Sequence, residues 1–223
     1  MIAGIMQPYF FPYIGYFQLI HSVDFYVNLD HVSFMKRSYM VRNTIRNGTC
    51  INLQVNGGSQ NRSCKEVTVN FENKWIEKTS KTLIFLYKKE KNFQEIMETI
   101  IHKNFQKMEI SVSDFNLGII KDICNYLELK TNFVDTSEGL TSQKKADGLI
   151  EICKKINCIN YVNAIGGTKL YDKKYFLENE VNLKFCKMDE DINLDNPFIS
   201  ILDLLFAYPK EHIRKEIIKY HLI

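Results

Sequence analysis

The residues best suited to chemistry lie in one aromatic segment, QPYFFPYIGYFQLI, which spans Gln7 to Ile20. Tyr9, Tyr13 and Tyr16 carry hydroxyls that donate hydrogen bonds without bearing a charge. The two prolines fix the backbone dihedral φ and lack amide donors, so the segment cannot lie inside a sheet. We therefore expect a rigid rim beside a sheet, in which the tyrosines and the leading Gln7 contact a substrate. An aromatic packing corner is the alternative.

The tetrad Tyr13, Ile14, Gly15, Tyr16 stands where nucleotidylyltransferase-like folds carry an HxGH motif, after the first strand and at the start of the first helix. Tyrosine replaces both histidines, so the resemblance is one of position. Gly15 permits a close approach of backbone segments. The analogy makes ATP the candidate cofactor and Tyr16 a candidate catalytic residue.

Asp30 follows the second predicted strand, where side chains project into the crevice of a parallel sheet. It is the other candidate catalytic residue, because a carboxylate there could orient an amine or a ribose hydroxyl. Capping of a turn is an equally good interpretation.

Lys36, Arg37, Arg42 and Arg46 form the densest basic group near the aromatic segment, and the first three of them with Asn43 are the candidate phosphate contacts. Arginine suits bidentate contact with phosphate, so this group could clamp a pyrophosphate. A solvated basic face would have the same composition.

Two later loops also follow predicted strands. The first, Thr136 to Gly148, contains Ser137, Lys144 and Lys145 and opens a helix, whose free amides together with the two lysines would suit a phosphate. Helix capping explains the same pattern.

The second loop, Tyr161 to Asp172, contains Gly166 and Gly167, which could let a ligand approach the backbone, and also Tyr171. A plain turn is the alternative. The segment Ser200 to Asp203 has the form of a capping box, and we interpret it as structural.

Composition argues against several classes of protein. The 223 residues carry 29 basic and 26 acidic side chains, a net charge of +3, so we expect no broad surface for duplex nucleic acid. The six cysteines form no CxxC pair and the five histidines share no spacing, so a zinc site or a serine triad is unsupported. There is neither a basic leader nor a run of about 18 apolar residues. We expect a cytoplasmic protein with buried free thiols and no membrane insertion.

Apolar patterning predicts the elements that must position these residues. Strands are predicted at Ile2 to Met6, Phe25 to Leu29, Cys50 to Val55, Lys65 to Asn70, Thr131 to Thr136, Cys158 to Asn163 and Asn182 to Cys186. Helices are predicted at Ile14 to Ser22, Ser142 to Ile156, Tyr171 to Glu178 and from Pro209 to the end. The third and fourth strands should pair as a hairpin, and Ser113 or Asp114 should cap a helix.

Alternation of strands and helices predicts a three-layer α/β fold with a mostly parallel sheet, Rossmann-like with a nucleotidylyltransferase-like core. We expect a single domain over residues 1–223, with a helical insertion at about 71–130.

Five segments carry a family resemblance: QPYFFPYIGYFQLI, VDFYVNLDHVSFMKR, RNTI, IGGTKLYDKKYF and SILDLLF. Together they resemble the WbqC-like protein family of bacterial polysaccharide clusters. The chain departs from that family at His31, where a second acidic residue is common, and at Ala207 to Pro209, where a glycine is common.

The resemblance implies a cytoplasmic step in making surface glycans such as O-antigen of lipopolysaccharide, on sugars that are often nucleotide-linked. We hypothesise a transferase that attaches a small acyl or aminoacyl group to the amine of a nucleotide-linked amino sugar. A nucleotidyl or glycosyl transferase and a noncatalytic sugar-nucleotide-binding subunit stay open as alternatives. An aminoacyl-tRNA donor is a variant that the modest net charge disfavours.

Overall fold

The computed structural model describes residues 1–106, 109–143 and 145–223. Its strands are β1 Ile2–Met6, β2 Phe25–Asn28, β3 Arg42–Ile45, β4 Thr49–Asn52, β5 Val55–Asn56, β6 Thr68–Val69, β7 Asn132–Val134, β8 Asn160–Ala164, β9 Asn182–Met188 and β10 Tyr220–Leu222. Its α-helices are α1 Ile14–His21, α2 Asn73–Tyr87, α3 Phe93–Ile96, α4 Lys103–Phe105, α5 Val112–Tyr126, α6 Lys145–Lys155, α7 Lys173–Glu178, α8 Ile201–Ala207 and α9 Lys210–Ile217. A π-helical turn, Met97–His102, joins α3 to α4, and 3₁₀ turns lie at Arg46–Gly48 and Ile165–Lys169.

Within the described residues, a six-stranded sheet forms the centre of the molecule, in the order β10-β9-β8-β1-β2-β7. Its neighbouring strands are parallel except for β9 and β10, which are antiparallel. Ala3 of β1 lies opposite Phe25 of β2 and opposite Tyr161 of β8. The predicted mixed α/β fold with a mostly parallel sheet is therefore confirmed.

The central strand β1 shows why helices cover both faces of this sheet. Successive side chains on a strand point to opposite faces. Ala3 and Ile5 lie in one apolar cluster with Leu149 of α6 and with α7. Gly4 points the other way, where a Cβ atom would lie only 2.8 Å from Leu19 Cδ2 of α1. A glycine at this position thus lets α1 lie close against the sheet.

The chain between β2 and β7 holds two short antiparallel ladders and helices α2 to α5. The helical stretch predicted at about 71–130 contains those helices, which run from Asn73 to Tyr126. Apolar side chains of this stretch are buried, as at Ile96, Ile100 and Phe105.

The predicted hairpin of Cys50 to Val55 with Lys65 to Asn70 is only partly right. Val55 pairs with Val69, but β4 pairs with β3 instead. The reason is the turn between them, where Asn47 and Gly48 both have positive φ, 58° and 70°. Such a pair matches the twist of two adjacent strands, and Asn-Gly is a strong signal for a tight hairpin.

Two further boundaries differ from the predictions. Ser111, not Ser113 or Asp114, caps α5, since its hydroxyl accepts a hydrogen bond from the Asp114 amide at 2.9 Å. The last helix ends at Ile217, and β10 then returns to pair with β9. In the described part of the chain, no helix combines the length and apolar character that a membrane crossing requires.

Candidate functional site

A cavity of ≈ 550 Å³ opens at the carboxyl edge of the sheet, beside β1 and β8. Gln7 follows β1, and Gly166 and Gly167 follow β8; all three line the cavity. At this point the connections diverge: the chain leaves β1 toward β2 on one side, whereas it leaves β8 toward β9 on the opposite side. Ligands of open α/β sheets bind in the crevice at such a switch in strand order.

The structure brings many of the predicted site residues together around this cavity. The predicted residues that line it are Gln7, Tyr9, Tyr13, Tyr16, Asn43, Gly166, Gly167 and Tyr171. These come from three separate parts of the chain, and the first and last of them converge because β1 and β8 are neighbours in the sheet.

The aromatic segment forms the first wall of the cavity. Phe10 and Phe11 are fully buried, and Phe11 has a positive φ of 45°. Its carbonyl oxygen accepts hydrogen bonds from Asn43 Nδ2 at 2.7 Å and from Ser200 Oγ at 2.8 Å. The turn is therefore held from outside, and Tyr9 and Tyr13 face the cavity while the phenylalanines anchor it.

Gly15 lies beneath the Tyr13 ring. A Cβ atom on Gly15 would lie 2.3 Å from Tyr13 Cε2, closer than any side chain tolerates. Gly15 therefore serves the placement of Tyr13, and the predicted contact of Gly15 with a ligand stays a prediction.

Tyr16 uses its hydroxyl within the protein. It donates a hydrogen bond to the Gln7 carbonyl oxygen at 2.6 Å and also contacts the Tyr26 hydroxyl. Burial, followed by the neighbouring Tyr26, raises the pKa of Tyr16 well above its ordinary value. The hydroxyl thus stays protonated and stabilises the end of β1, and its predicted catalytic role stays a prediction.

Four other tyrosine hydroxyls are available to a ligand: those of Tyr9, Tyr13, Tyr39 and Tyr171 line the cavity and make no hydrogen bond to the described residues. Burial raises the pKa of Tyr9, Tyr13 and Tyr171, with smaller contributions from neighbouring tyrosines at Tyr9 and Tyr13. All three therefore stay protonated at neutral pH and act as uncharged donors or acceptors.

The described residues that line the cavity include no Asp, Glu, Lys or Arg. Its polar groups are tyrosine hydroxyls, amides and backbone, and its rim carries the exposed apolar side chains Leu170 and Phe198. This lining suits an uncharged, hydroxylated or amide-bearing ligand that also presents an apolar face.

A smaller recess of ≈ 330 Å³ adjoins the cavity and shares Gln7 and Tyr171 with it. Lys145, at the start of α6, gives this recess its cationic character. The helix dipole adds positive potential at the same end. The recess therefore suits an anionic group attached to a ligand in the cavity.

Ser137 does not line this recess; it is fully buried next to His31. Its hydroxyl lies 2.7 Å from His31 Nδ1 and donates to Asp30 at 2.8 Å, so it acts within the protein. The predicted phosphate contact of Lys144 lies outside the described residues.

Asp30 is sealed beneath the loop that follows β7. Its carboxylate has no exposed surface and accepts hydrogen bonds from Thr136 Oγ1 at 2.5 Å and from the Ser137 amide at 3.0 Å. Lys65 Nζ lies 3.1 Å from Asp30 Oδ2, the oxygen that also accepts from Thr136. Burial alone would raise the pKa of Asp30, but these partners outweigh it and hold the pKa below its ordinary value. In this conformation Asp30 anchors the loop, and its predicted role toward a substrate amine stays a prediction.

The basic group is not brought to the cavity as one clamp. Lys36 and Arg37 line a separate open depression with Ser59 and Gln60. Arg42 is exposed on β3, because neighbouring side chains on a strand face opposite sides and Asn43 takes the buried one. The predicted pyrophosphate clamp is therefore divided in this structure.

Sequence reasoning missed several lining residues: Tyr39, Tyr161, Asn163, Leu170 and Phe198. Tyr39 lies in a stretch without clear periodicity. Asn163 ends a predicted strand, as Asp30 follows one, and that placement was a usable signal. Among the described residues, no group of three or more His, Cys, Asp or Glu side chains could hold a metal ion.

The fold and the site define a mixed α/β protein with a tyrosine-lined, uncharged ligand cavity at the carboxyl edge of its sheet. The chain belongs to the WbqC-like protein family, whose model matches residues 7–215. It is also 25% identical over 217 residues to an uncharacterized protein of Mycobacterium tuberculosis, Rv1507c, with 92% of each chain covered. No solved structure matches the chain significantly.

Proposed function

We propose that this protein binds a nucleotide-linked amino sugar at the carboxyl edge of its sheet and transfers a small acyl or aminoacyl group to the sugar amine. The step would belong to the cytoplasmic synthesis of a bacterial surface polysaccharide of the O-antigen type. The observation that carries the proposal is the uncharged tyrosine cavity beside a cationic recess at one switch in strand order.

The strand order supports a Rossmann-like core for this proposal. Counted in chain order, the five parallel strands β1, β2, β7, β8 and β9 lie side by side as 3-2-1-4-5. This is the order of the doubly wound nucleotide-binding fold, in which the ligand lies beside the first and fourth strands. The cavity lies beside those two strands here. A nucleotidylyltransferase-like relationship is part of the same proposal.

The cavity fits the sugar ring. Hydroxyl groups of a sugar need neutral donors and acceptors, which Tyr9, Tyr171 and Gln7 provide without charge. The apolar face of a sugar packs against aromatic rings, and Tyr13 with Phe198 offers such a pair, with ring centroids 6.3 Å apart.

The recess fits the diphosphate. It continues from the cavity past Gln7 and Tyr171, so a group attached to the sugar can enter it. Lys145 supplies a cation and α6 supplies the positive end of a helix dipole there. In this arrangement the recess, not Lys36, Arg37 and Arg42, holds the phosphates.

The acyl or aminoacyl donor would be activated before transfer. ATP would activate a free carboxylate, whereas an aminoacyl-tRNA would bring the aminoacyl group already activated as an ester. The protein's own contribution is to hold the sugar amine and the acyl carbon together, which by itself accelerates a bimolecular reaction. The nitrogen of the amine would bond to the acyl carbon as the bond to the activating group breaks, and the amine proton would leave with that group or with water.

A noncatalytic sugar-nucleotide-binding subunit is the second candidate. One observation favours it: the two predicted catalytic side chains, Asp30 and Tyr16, are both committed to internal hydrogen bonds. Ligand binding without turnover by any donor would support this candidate.

A thermal-shift screen of nucleotide sugars, ATP and acyl donors tests the proposal, because a ligand that binds only the folded state raises its apparent stability. Tyr9→Phe and Tyr171→Phe should each weaken binding of the best sugar nucleotide about three- to tenfold, as expected when one hydrogen bond is lost. Tyr175→Phe is the matched control. The Tyr175 hydroxyl donates a hydrogen bond to Asp147 Oδ1 at 2.5 Å, and neither residue lines the cavity.

Arg42→Ala separates the two possible phosphate sites. Unchanged affinity in this variant, with a loss in Lys145→Ala, agrees with phosphate in the recess. Loss of affinity in Arg42→Ala but not in Lys145→Ala would return the phosphate to the basic group. No binding of any nucleotide sugar would contradict the proposed function.

A further inference from the structure

One lining residue has an unusual environment. Asn163, near the end of β8, is only 8% exposed, yet its side chain lines the cavity. Its Nδ2 donates a hydrogen bond to the Tyr161 hydroxyl, while its Oδ1 accepts no hydrogen bond from the described residues. Asn163 Oδ1 is not fully buried, so it is open to a hydrogen-bond donor of a group bound in the cavity.

The orientation of the Asn163 amide follows from its neighbours. The Tyr161 hydroxyl donates to the Ile5 carbonyl oxygen at 3.4 Å, so its oxygen is left to accept a hydrogen bond. Only the NH₂ end of Asn163 can donate that bond. The amide oxygen is thereby directed to the Gly167 side of the cavity, where a Cβ on Gly167 would lie 2.5 Å from it.

The position beside that oxygen is crowded. A Cβ atom on Gly167 would press on Asn163 Oδ1 and on the Phe185 ring, which would lie 3.2 Å away. Gly167 therefore lets the Asn163 amide keep its place in the cavity wall, with the direction of its oxygen fixed by Tyr161.

We propose that Asn163 positions the acceptor amine of the substrate through Oδ1, and that the amine binds there as the uncharged free base. This inference rests on the proposed function, because it names the group that the cavity selects. An amide oxygen accepts from an amine without supplying the negative charge that an ammonium ion needs. An uncharged, enclosed cavity disfavours the ammonium form by desolvation, which leaves the nitrogen lone pair free to attack.

The titratable groups around Asn163 are consistent with binding of an uncharged amine. Six tyrosines line the cavity, and burial is the main cause that raises the pKa of five of them, all except Tyr39. Burial also raises the pKa of Cys186, on the adjoining β9, to about 12. The charged side chains on the elements packed against β8 are exposed and outside the lining: Lys169, Asp172, Lys173, Lys174, Glu178, Lys184 and Lys187. In the recess, His31 and Lys145 face the attached anion.

The test is calorimetric titration of UDP-glucosamine and UDP-glucose, which differ only in an amine or hydroxyl at one carbon, between pH 6 and pH 9. Affinity of the wild-type protein for UDP-glucosamine should rise about tenfold per pH unit below the pKa of the amine, because only the free base binds. Affinity for UDP-glucose, which has no amine, should stay level over the same pH range.

Asn163→Asp should reverse this profile, because a carboxylate attracts the ammonium form: the variant should bind UDP-glucosamine more tightly at pH 6 than at pH 9. A wild-type affinity for UDP-glucosamine that is flat or falls with pH would overturn the free-base inference. Equal loss of both ligands in Asn163→Asp at every pH would reduce Asn163 to a structural residue and overturn its positioning role. Binding of both sugars with either of these results leaves the proposed function standing. Binding of neither overturns the inference for a UDP-linked amine, whereas the proposed function is refuted only if no nucleotide sugar of the thermal-shift screen binds.

Discussion

Asn43 Nδ2 donates a hydrogen bond to the Phe11 carbonyl oxygen at 2.7 Å, across 32 positions of the chain. The same amide also bonds the Phe10 carbonyl oxygen, while Asn43 Oδ1 accepts from the Thr44 amide. A residue predicted to clamp a pyrophosphate thus stabilises the aromatic turn that forms one wall of the cavity.

Asn43→Ala should lower the free energy of unfolding by about 1–3 kcal/mol, because it leaves buried carbonyl oxygens without a donor. Thr44→Ala, at an exposed position of the same strand, should change it by less than about 0.5 kcal/mol. Urea denaturation of both variants measures the difference.

Ser200→Ala provides a double-mutant cycle with Asn43→Ala, since both side chains donate to the Phe11 carbonyl oxygen. Neighbours that share a partner are expected to be non-additive by about 0.5 kcal/mol or more. Strict additivity would show that the two donors do not stabilise the turn jointly.

Gly167→Ala should impair ligand binding while Gly166→Ala does not. A methyl group on Gly167 would lie 2.5 Å from Asn163 Oδ1, whereas one on Gly166 meets nothing within 4 Å. Overpacking of this kind costs about 1–3 kcal/mol, which here displaces Asn163 from the cavity wall. Thermal shift with the best sugar nucleotide compares the two variants, and equal behaviour would argue against a packed Gly167–Asn163 contact.

Asp30 should make the stability of the protein depend on pH in the acid range. Its folded-state pKa lies below the ordinary 3.8, so its stabilising contribution is present above about pH 3.8 and is lost as the pH falls through the folded value. Asp30→Asn should therefore be less stable at pH 7 and should lose less stability on acidification. Chemical denaturation at pH 7 and pH 3 gives both values.

Asp135→Asn is the control for Asp30→Asn, because Asp135 pairs with Lys121 at the surface, where an ion pair contributes little. An acid profile that is the same for the wild type and Asp30→Asn would show that Asp30 is not stabilised as its contacts indicate.

Cys50 should be the one thiol that reacts quickly in the native protein. It is exposed, whereas the other five cysteines are buried. Burial, with a smaller effect of Asp30, raises the pKa of Cys64 to about 12, which leaves almost no reactive thiolate at pH 8. Titration with a disulfide reagent should label one thiol per chain, and Cys50→Ser should abolish the fast phase. Two or more fast thiols would contradict the buried positions.

The sequence alone determined where the strands of the parallel sheet lie and where the helix after the aromatic segment begins. The two prolines of the aromatic segment also excluded it from the sheet. Apolar runs and prolines act on their own neighbours, so Ile2–Met6 and α1 could be read from their residues. The Asn47-Gly48 hairpin was readable by the same rule and shows that a missed turn misplaces a strand.

The membership of the cavity was decided by the tertiary structure. Tyr39, Asn163 and Phe198 meet there because β1 lies between β2 and β8, and local periodicity does not encode strand order. Folding also encloses Asp30 under a loop that lies more than 100 positions later in the chain. On β3, the Asn43 side chain faces the interior and the Arg42 side chain faces solvent. Pattern along a chain specifies which face of an element is buried, whereas the partners on that face come from segments that only folding brings together.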